Sequence, residues 1–203
     1  MEFDIQIREI EAETDLARKA LRLAMLVASA FRAIGCETVV VGGSAIEFFT
    51  DGDYMSGDVD LCFRDRARPE LRVIGEVMGR LGAKGSSVRT FQVAGLFVDI
   101  LGRVETLART EFRKVVSADG RDSVLLAKPE DLLPERVLVA VYPSRNDEAL
   151  ACARKLATAC VSGRVEIDWD ETMRVAALPE YRVEKELAQL VADVKRETER
   201  DSK

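Results

Sequence analysis

Leu16, Ala20, Leu23, Val27, Phe31 and Ile34 recur at steps of three and four residues, which places one apolar stripe along a helix. Gly35 ends that stripe. The run Thr38–Val41 reads as a buried strand, Gly42-Gly43-Ser44 as a tight turn opening a short helix from Ser44, and Val59–Phe63 as a second strand. Leu71, Ile74, Val77, Met78 and Leu81 make the next helix, opened by Pro69. Together these predict a βαβ-like nucleus with helical cover. Val88–Val93 and Leu96–Leu101 read as a hairpin turning at Ala94-Gly95, and Ser123–Ala127 as one more strand. Beyond it the pattern is helical to the end. One stripe there is Ala149, Leu150, Ala153, Leu156, Ala157, Cys160 and Val161; another is Leu187, Leu190, Val191 and Val194. From about Lys195 no stripe continues, which predicts a frayed, solvated end. The expected organisation is an α/β (α+β) core over residues 1–128 with its N-terminal helix, and a helical C-terminal subdomain over 129–203 packed on that core.

The chemistry-bearing positions fall where this pattern is interrupted. In Ser56-Gly57-Asp58-Val59-Asp60-Leu61 the strand alternation puts Asp58 and Asp60 on one face, roughly 6 to 7 Å apart, while Val59, Leu61 and Phe63 anchor the other face. In phosphoryl-transfer sites two metals sit about 3.5 to 4 Å apart, a spacing that such a pair and a third carboxylate can bridge. Asp99, alone in the apolar run 94–102, is the natural third ligand, because a buried unpaired carboxylate costs several kcal/mol. Gly42-Gly43-Ser44 reads two ways. It is a strand-to-helix turn with Ser44 as N-cap, and it is also a bare backbone able to approach a phosphate at a helix N-terminus. A rival pair, Asp51 and Asp53, sits with Gly52 in a turn-like context that no strand alternation follows.

Composition narrows the chemistry. The chain has no histidine, which removes Ser-His-Asp triads, His-ligated zinc and a His general base. Mg²⁺ or Mn²⁺ held by carboxylates survives that exclusion. Cys36, Cys62, Cys152 and Cys160 show no CxxC pairing and read as small buried residues. At 203 residues and 47% apolar content the chain can bury a sizeable core. It carries no apolar run of membrane-spanning length, and its acidic start lacks a secretory n-region, so the expected location is the cytoplasm with no membrane partner. Net charge is −6, yet the middle third is basic through Arg64, Arg66, Arg68, Arg89, Arg103, Arg113, Lys114 and Arg121. Those side chains read either as a face for the phosphates of a nucleotide or RNA, or as ordinary solvated surface.

A hydrophobic strand, Gly43-Ser44, a gap and then Asp58-Val59-Asp60, with Asp99 on a later strand, resembles the nucleotidyltransferases of the DNA polymerase beta superfamily. Lys128-Pro129-Glu130-Asp131-Leu132-Leu133 and Arg145-Asn146-Asp147 are similar to a helical segment of the bacterial single-domain branch, which includes toxin–antitoxin nucleotidyltransferases. The resemblance covers roughly residues 36 to 160. Pro134 departs from it, since a proline inside the apparent helix tends to kink or end it. The resemblance implies a nucleotidyltransferase-like mixed sheet with helical cover. It also implies Asp58, Asp60 and Asp99 as catalytic and metal-binding residues, and Gly42, Gly43, Ser44, Ser56 and Arg145 as nucleotide-binding ones. The implied cofactor is Mg²⁺ or Mn²⁺ and the co-substrate an NTP, ATP among them. The acceptor would be a tRNA, a protein hydroxyl or a small molecule, and a cognate antitoxin protein a partner. Ser56 also reads as a turn residue, and Arg145 as one half of a charge pair with Asp147. Two other readings remain open at this stage: a non-catalytic nucleotide- or partner-binding module of the same fold, and a metal-dependent phosphohydrolase.

Overall fold

The computed structural model describes residues 3–64, 69–85, 87–103 and 111–201. Arg66, Arg68 and the side chain of Arg103 in the basic middle lie outside what is described. The chain forms two compact units, Met1–Ala45 with Met55–Ala127, and Ile46–Tyr54 with Lys128–Lys203.

The first unit opens with α1 (Asp4–Ala12) and α2 (Leu16–Arg32). Sequence periodicity missed α1, which is short, has one buried residue, Ile10, and is tied to α2 by the Glu9–Arg22 ion pair at 3.0 Å. The Asp15 side chain caps α2 by accepting from Arg18 N, and Gly35, at φ 78, turns the chain out of the helix into the sheet. There follow β1 (Thr38–Val40), α3 (Gly42–Phe49), β2 (Asp58–Phe63), α4 (Leu71–Arg80), β3 (Lys84–Gly85), β4 (Thr90–Val93), β5 (Leu96–Arg103), β6 (Arg113–Val116) and β7 (Ser123–Leu126). The seven strands lie in the order β3-β4-β5-β2-β1-β7-β6. The β2–β5 and β1–β7 pairs are parallel and the rest antiparallel, so the sheet is mixed.

The strands β1 and β2 are antiparallel, with Thr38 opposite Phe63 and Val40 opposite Leu61, which corrects the expected βαβ unit. A parallel return needs a crossover that carries the chain back to the starting end of the first strand. At eight residues α3 is about 12 Å long, and the turn beyond it, with Asp51 and Gly52 at positive φ, brings β2 in beside the end of β1 instead. The expected hairpin is present: Ala94 and Gly95 both have positive φ, as a two-residue type I′ turn requires, and Asp99 rides on its second strand.

The core lies between this sheet and α2. Val59, Leu61 and Phe63 are at most 1% exposed, and Phe63 meets Phe31 of α2 edge to face at 5.2 Å. Each such side chain stabilises the fold by roughly 1.5 to 3 kcal/mol through burial. Alternation therefore turns the other face of β2, which carries the acidic pair, away from α2.

The second unit joins residues 46–54 to α5 (Pro129–Val141), α6 (Asp147–Val161), α7 (Trp169–Ala176) and α8 (Glu184–Asp201). Pro134 does not end α5, which continues through it to Val141. Nor does the chain fray at Lys195. The helix α8 runs to Asp201, with Glu197 gripped by both carboxylate oxygens on Arg154 of α6, at 2.9 and 2.8 Å. Side-chain caps open two of these helices: Asn146 accepts from Ala149 N and Asp168 from Glu171 N. Glu130 fixes the second of those caps by accepting from Asp168 N at 2.9 Å. No helix of the described residues is long and apolar enough to cross a membrane.

Within this unit Tyr54 and Cys152 share a hydrogen bond beside Arg136. Burial pushes the Tyr54 phenol up to about 12 and the Cys152 thiol up to about 11. Both groups are neutral when protonated. The unfolded thiol releases its proton from its ordinary value of 9.0, whereas the folded one holds it to about 11, so the folded state binds more protons between those values. The stability from this pair is complete below pH 9 and is lost as pH rises toward 11. Urea midpoints measured from pH 8 to 10.5 should fall more steeply for the wild type than for Cys152→Val. Parallel slopes would refute the assignment.

Candidate metal centre

The bare-backbone turn and the acidic strand are locked together. Gly42 takes φ 62, a left-handed conformation suited to glycine, and α3 starts there, two residues earlier than the helix expected from Ser44. Ser44 is thus not the N-cap but lies in the first turn, fully buried, donating from Oγ to Val41 O at 3.0 Å and accepting from Asp60 N at 3.0 Å. Its hydroxyl proton is directed to the backbone of the turn, at Val41 O. First-turn amides of a helix, here those of Gly42, Gly43 and Ser44, have no acceptor within the helix, and the dipole there favours an anion.

Asp58 and Asp60 share a face of β2, and the parallel pairing of β2 with β5 sets Asp99 directly beside Asp60. One carboxylate oxygen of each of the three lies within 4.8 Å of those of the other two, and all three residues are partly buried. Ser56 Oγ donates to Asp58 Oδ1 at 2.8 Å, so its hydroxyl orients that carboxylate. Asp99 Oδ1 is buried without a hydrogen-bond partner. An unsatisfied buried acceptor costs about 1 to 3 kcal/mol, and more when charged, so this arrangement suits a cation that completes it. Three convergent carboxylates, all hard oxygen donors, fit Mg²⁺ or Mn²⁺ and offer nothing to a soft metal. Phe97 and Leu101, two residues either side of Asp99 on β5, are 44% and 49% exposed, and Thr90 of β4 stands across from Asp99.

Asp51 has positive φ in a turn and Asp53 pairs with Arg164 at 2.8 Å, both within the second unit. Arg145 and Asp147 pair with each other at 2.6 Å, both 78% exposed, also in the second unit. Of the basic middle, Arg64 lies over the Phe112 ring at 6.0 Å. Cys62, Cys152 and Cys160 are buried and Cys36 is half-buried, and all four are reduced rather than paired in disulfides. Sequence reasoning missed the inward role of Ser44 and the place of Thr90, because both depend on strand pairing between distant segments.

This sheet and helix arrangement has counterparts among solved structures. An antigenic nucleotidyltransferase-like protein from Paracoccidioides brasiliensis superposes with a TM-score of 0.55 at 15% identity, over 88% of this chain and 92% of that one. The antibiotic-resistance factor ANT(2'')-Ia superposes with a TM-score of 0.50 at 15% identity, over 81% of this chain and 91% of that one. No family model and no curated protein matches the sequence. The protein therefore has a nucleotidyltransferase-like fold, and its acidic triad is a candidate centre for a divalent cation.

Three like charges this close repel one another, so removing one should stabilise the metal-free protein. Asp99→Asn should raise the melting temperature without metal by about 2 to 4 °C, corresponding to about 1 kcal/mol. Mn²⁺ at millimolar concentration should raise it in the wild type and leave the variant unmoved. A wild type that does not respond to Mn²⁺ would contradict the site.

Proposed function

We propose that this protein is a metal-dependent nucleotidyltransferase that moves NMP from an NTP to an acceptor hydroxyl and releases pyrophosphate. The observation that carries the reading is the convergence of Asp58, Asp60 and Asp99, with a buried unpartnered oxygen on Asp99, beside a strand locked to the start of α3. The fold of its structural neighbours supports it. Asp58, Asp60 and Asp99 would hold Mg²⁺ or Mn²⁺, which when bound would supply charge neutralisation on the triphosphate and would acidify the acceptor hydroxyl. The amides of Gly42 and Gly43 bind the terminal phosphates at the helix start, and Ser56 keeps the Asp58 carboxylate turned toward the site. The acceptor oxygen bonds to the α-phosphorus as the bond from that phosphorus to the bridging oxygen of the β-phosphate breaks. The acceptor's proton passes to the Asp99 carboxylate. Alignment and electrostatic preorganisation account for most of the acceleration.

The acceptor class proposed is a tRNA end, a protein hydroxyl or a small molecule. On the resemblance of 128–133 and 145–147 to the bacterial single-domain branch, the proposed setting is the cytoplasm, as the toxin of a toxin–antitoxin pair. Arg145 is the nucleotide-binding residue proposed from that same resemblance. The intact triad favours an enzyme over a non-catalytic module of the same fold.

Incubation of the protein with α-labelled and γ-labelled NTPs and Mg²⁺ or Mn²⁺, first with total RNA and then with lysate protein and an aminoglycoside, tests this reading. Label should pass to the acceptor from the α position only, and Asp58→Asn should lower transfer by roughly 100-fold or more with an unchanged circular dichroism spectrum. Phosphate released from the γ position without transfer would point to a phosphohydrolase. Full turnover by Asp58→Asn would remove the triad from the chemistry.

A further inference from the structure

Ser44 is wholly buried, and a hydroxyl has a single proton, which here goes to Val41 O. Its lone pair takes the N–H of Asp60, sixteen residues on. The neighbouring backbone makes a second tie, Val41 N donating to Asp60 O at 3.1 Å. Both backbone groups of one carboxylate-bearing residue are therefore held by the four-residue segment Val41–Ser44, which also carries the first-turn amides of α3. The Ser44 hydroxyl is engaged by turn and strand, at Val41 O and at Asp60 N. What it fixes is the spacing between the element that would bind phosphates and the strand that would bind the cation.

We infer that Ser44 is a positioning residue that couples the two halves of the site, so that cation and triphosphate strengthen each other's binding through the turn it locks. This deepens the nucleotidyltransferase reading and rests on it. A triphosphate must reach the amides of Gly42 and Gly43 and the cation between Asp58, Asp60 and Asp99 at once, and only one spacing between turn and strand allows both. If that spacing is released, each half still binds its own partner and the mutual strengthening is lost. A direct phosphate ligand would behave differently, since its removal would weaken triphosphate binding whether or not the cation is present. A merely structural serine would lower the melting temperature and leave the strengthening as it was.

The test uses the full chain, Mn²⁺ followed by electron paramagnetic resonance, and inorganic triphosphate and a non-hydrolysable NTP analogue followed by calorimetry, in EDTA and at saturating Mn²⁺. In the wild type Mn²⁺ should raise the affinity for the analogue by tenfold or more, within the range of ordinary coupling between two sites. In Ser44→Ala the affinity for Mn²⁺ alone and for triphosphate in EDTA should stay within about threefold of wild type, while the tenfold enhancement falls below about threefold. Ser44→Thr, which keeps the hydroxyl, should restore it. Exchange of the Asp60 amide proton should quicken in Ser44→Ala and slow again in Ser44→Thr. Should Ser44→Ala not fold, Ser44→Cys keeps the volume, weakens both hydrogen bonds and is read in the same way. An undiminished enhancement in Ser44→Ala overturns the inference and leaves the metal site standing, as does an equal loss of triphosphate affinity with and without Mn²⁺. A wild type that binds neither Mn²⁺ nor analogue overturns the nucleotidyltransferase reading together with it.

Discussion

Carboxylates brought within 4.8 Å of one another repel, and the repulsion grows as water is withdrawn from around them. Such a cluster persists only if the backbone beneath it is held by forces that do not depend on the side chains themselves. Here the backbone is held on three sides. The apolar face of β2 is buried to at most 1% exposure at Val59, Leu61 and Phe63; β5 runs parallel alongside; and the turn after β1 grips both backbone groups of Asp60. Hydrophobic burial on one face of a strand thus sustains electrostatic strain on the other.

That division follows from the two-residue period of a strand. Asp58 and Asp60 share a face because Val59 and Leu61 share the opposite one, and the parallel register puts Asp99 beside Asp60 rather than beside Val59. A slip of one residue in the β2–β5 pairing would bury two carboxylates in the core, which places the strongest constraint on register at the site itself. Just beyond the site the constraint relaxes. The pairing shifts between Leu61 and Cys62, Leu101 is left without a partner across the ladder, and the strand continues through Gly102.

How much of this was legible in the sequence depended on the range of the interaction. The stripe of α2 from Ala20 to Phe31, the alternation of β2 and the Ala94-Gly95 turn are local, and the structure contains each of them, while Leu16 and Ile34 at the ends of the stripe are exposed. The acidic triad was legible because two of its members are set by alternation and the third by a carboxylate interrupting an apolar run. Antiparallel pairing of β1 with β2 was not legible, since it depends on where the loop from Thr50 to Gly57 delivers the chain. Neither was the true start of α3 at Gly42. Serine is a common cap, and only the pairing of β1 with β2 shows that Ser44 spends its hydroxyl on Val41 and Asp60. The last turns of α8 looked polar and free because the ion pair that holds them comes from Arg154, forty-three residues earlier. The strand β6, half-exposed at every second position, gave too weak an alternation to be seen.

The central claim is that Asp58, Asp60 and Asp99 form one divalent-cation site. Anomalous diffraction from crystals grown with Mn²⁺ and a non-hydrolysable NTP analogue tests it most directly. An anomalous peak is expected about 2.1 Å from carboxylate oxygens of Asp58 and Asp60, a distance typical of small octahedral cations, with Asp99 turned to the same centre. Phosphate density should lie at the first turn of α3. Manganese bound only at Asp51 and Asp53, or absent from the triad at saturating concentration, would contradict it.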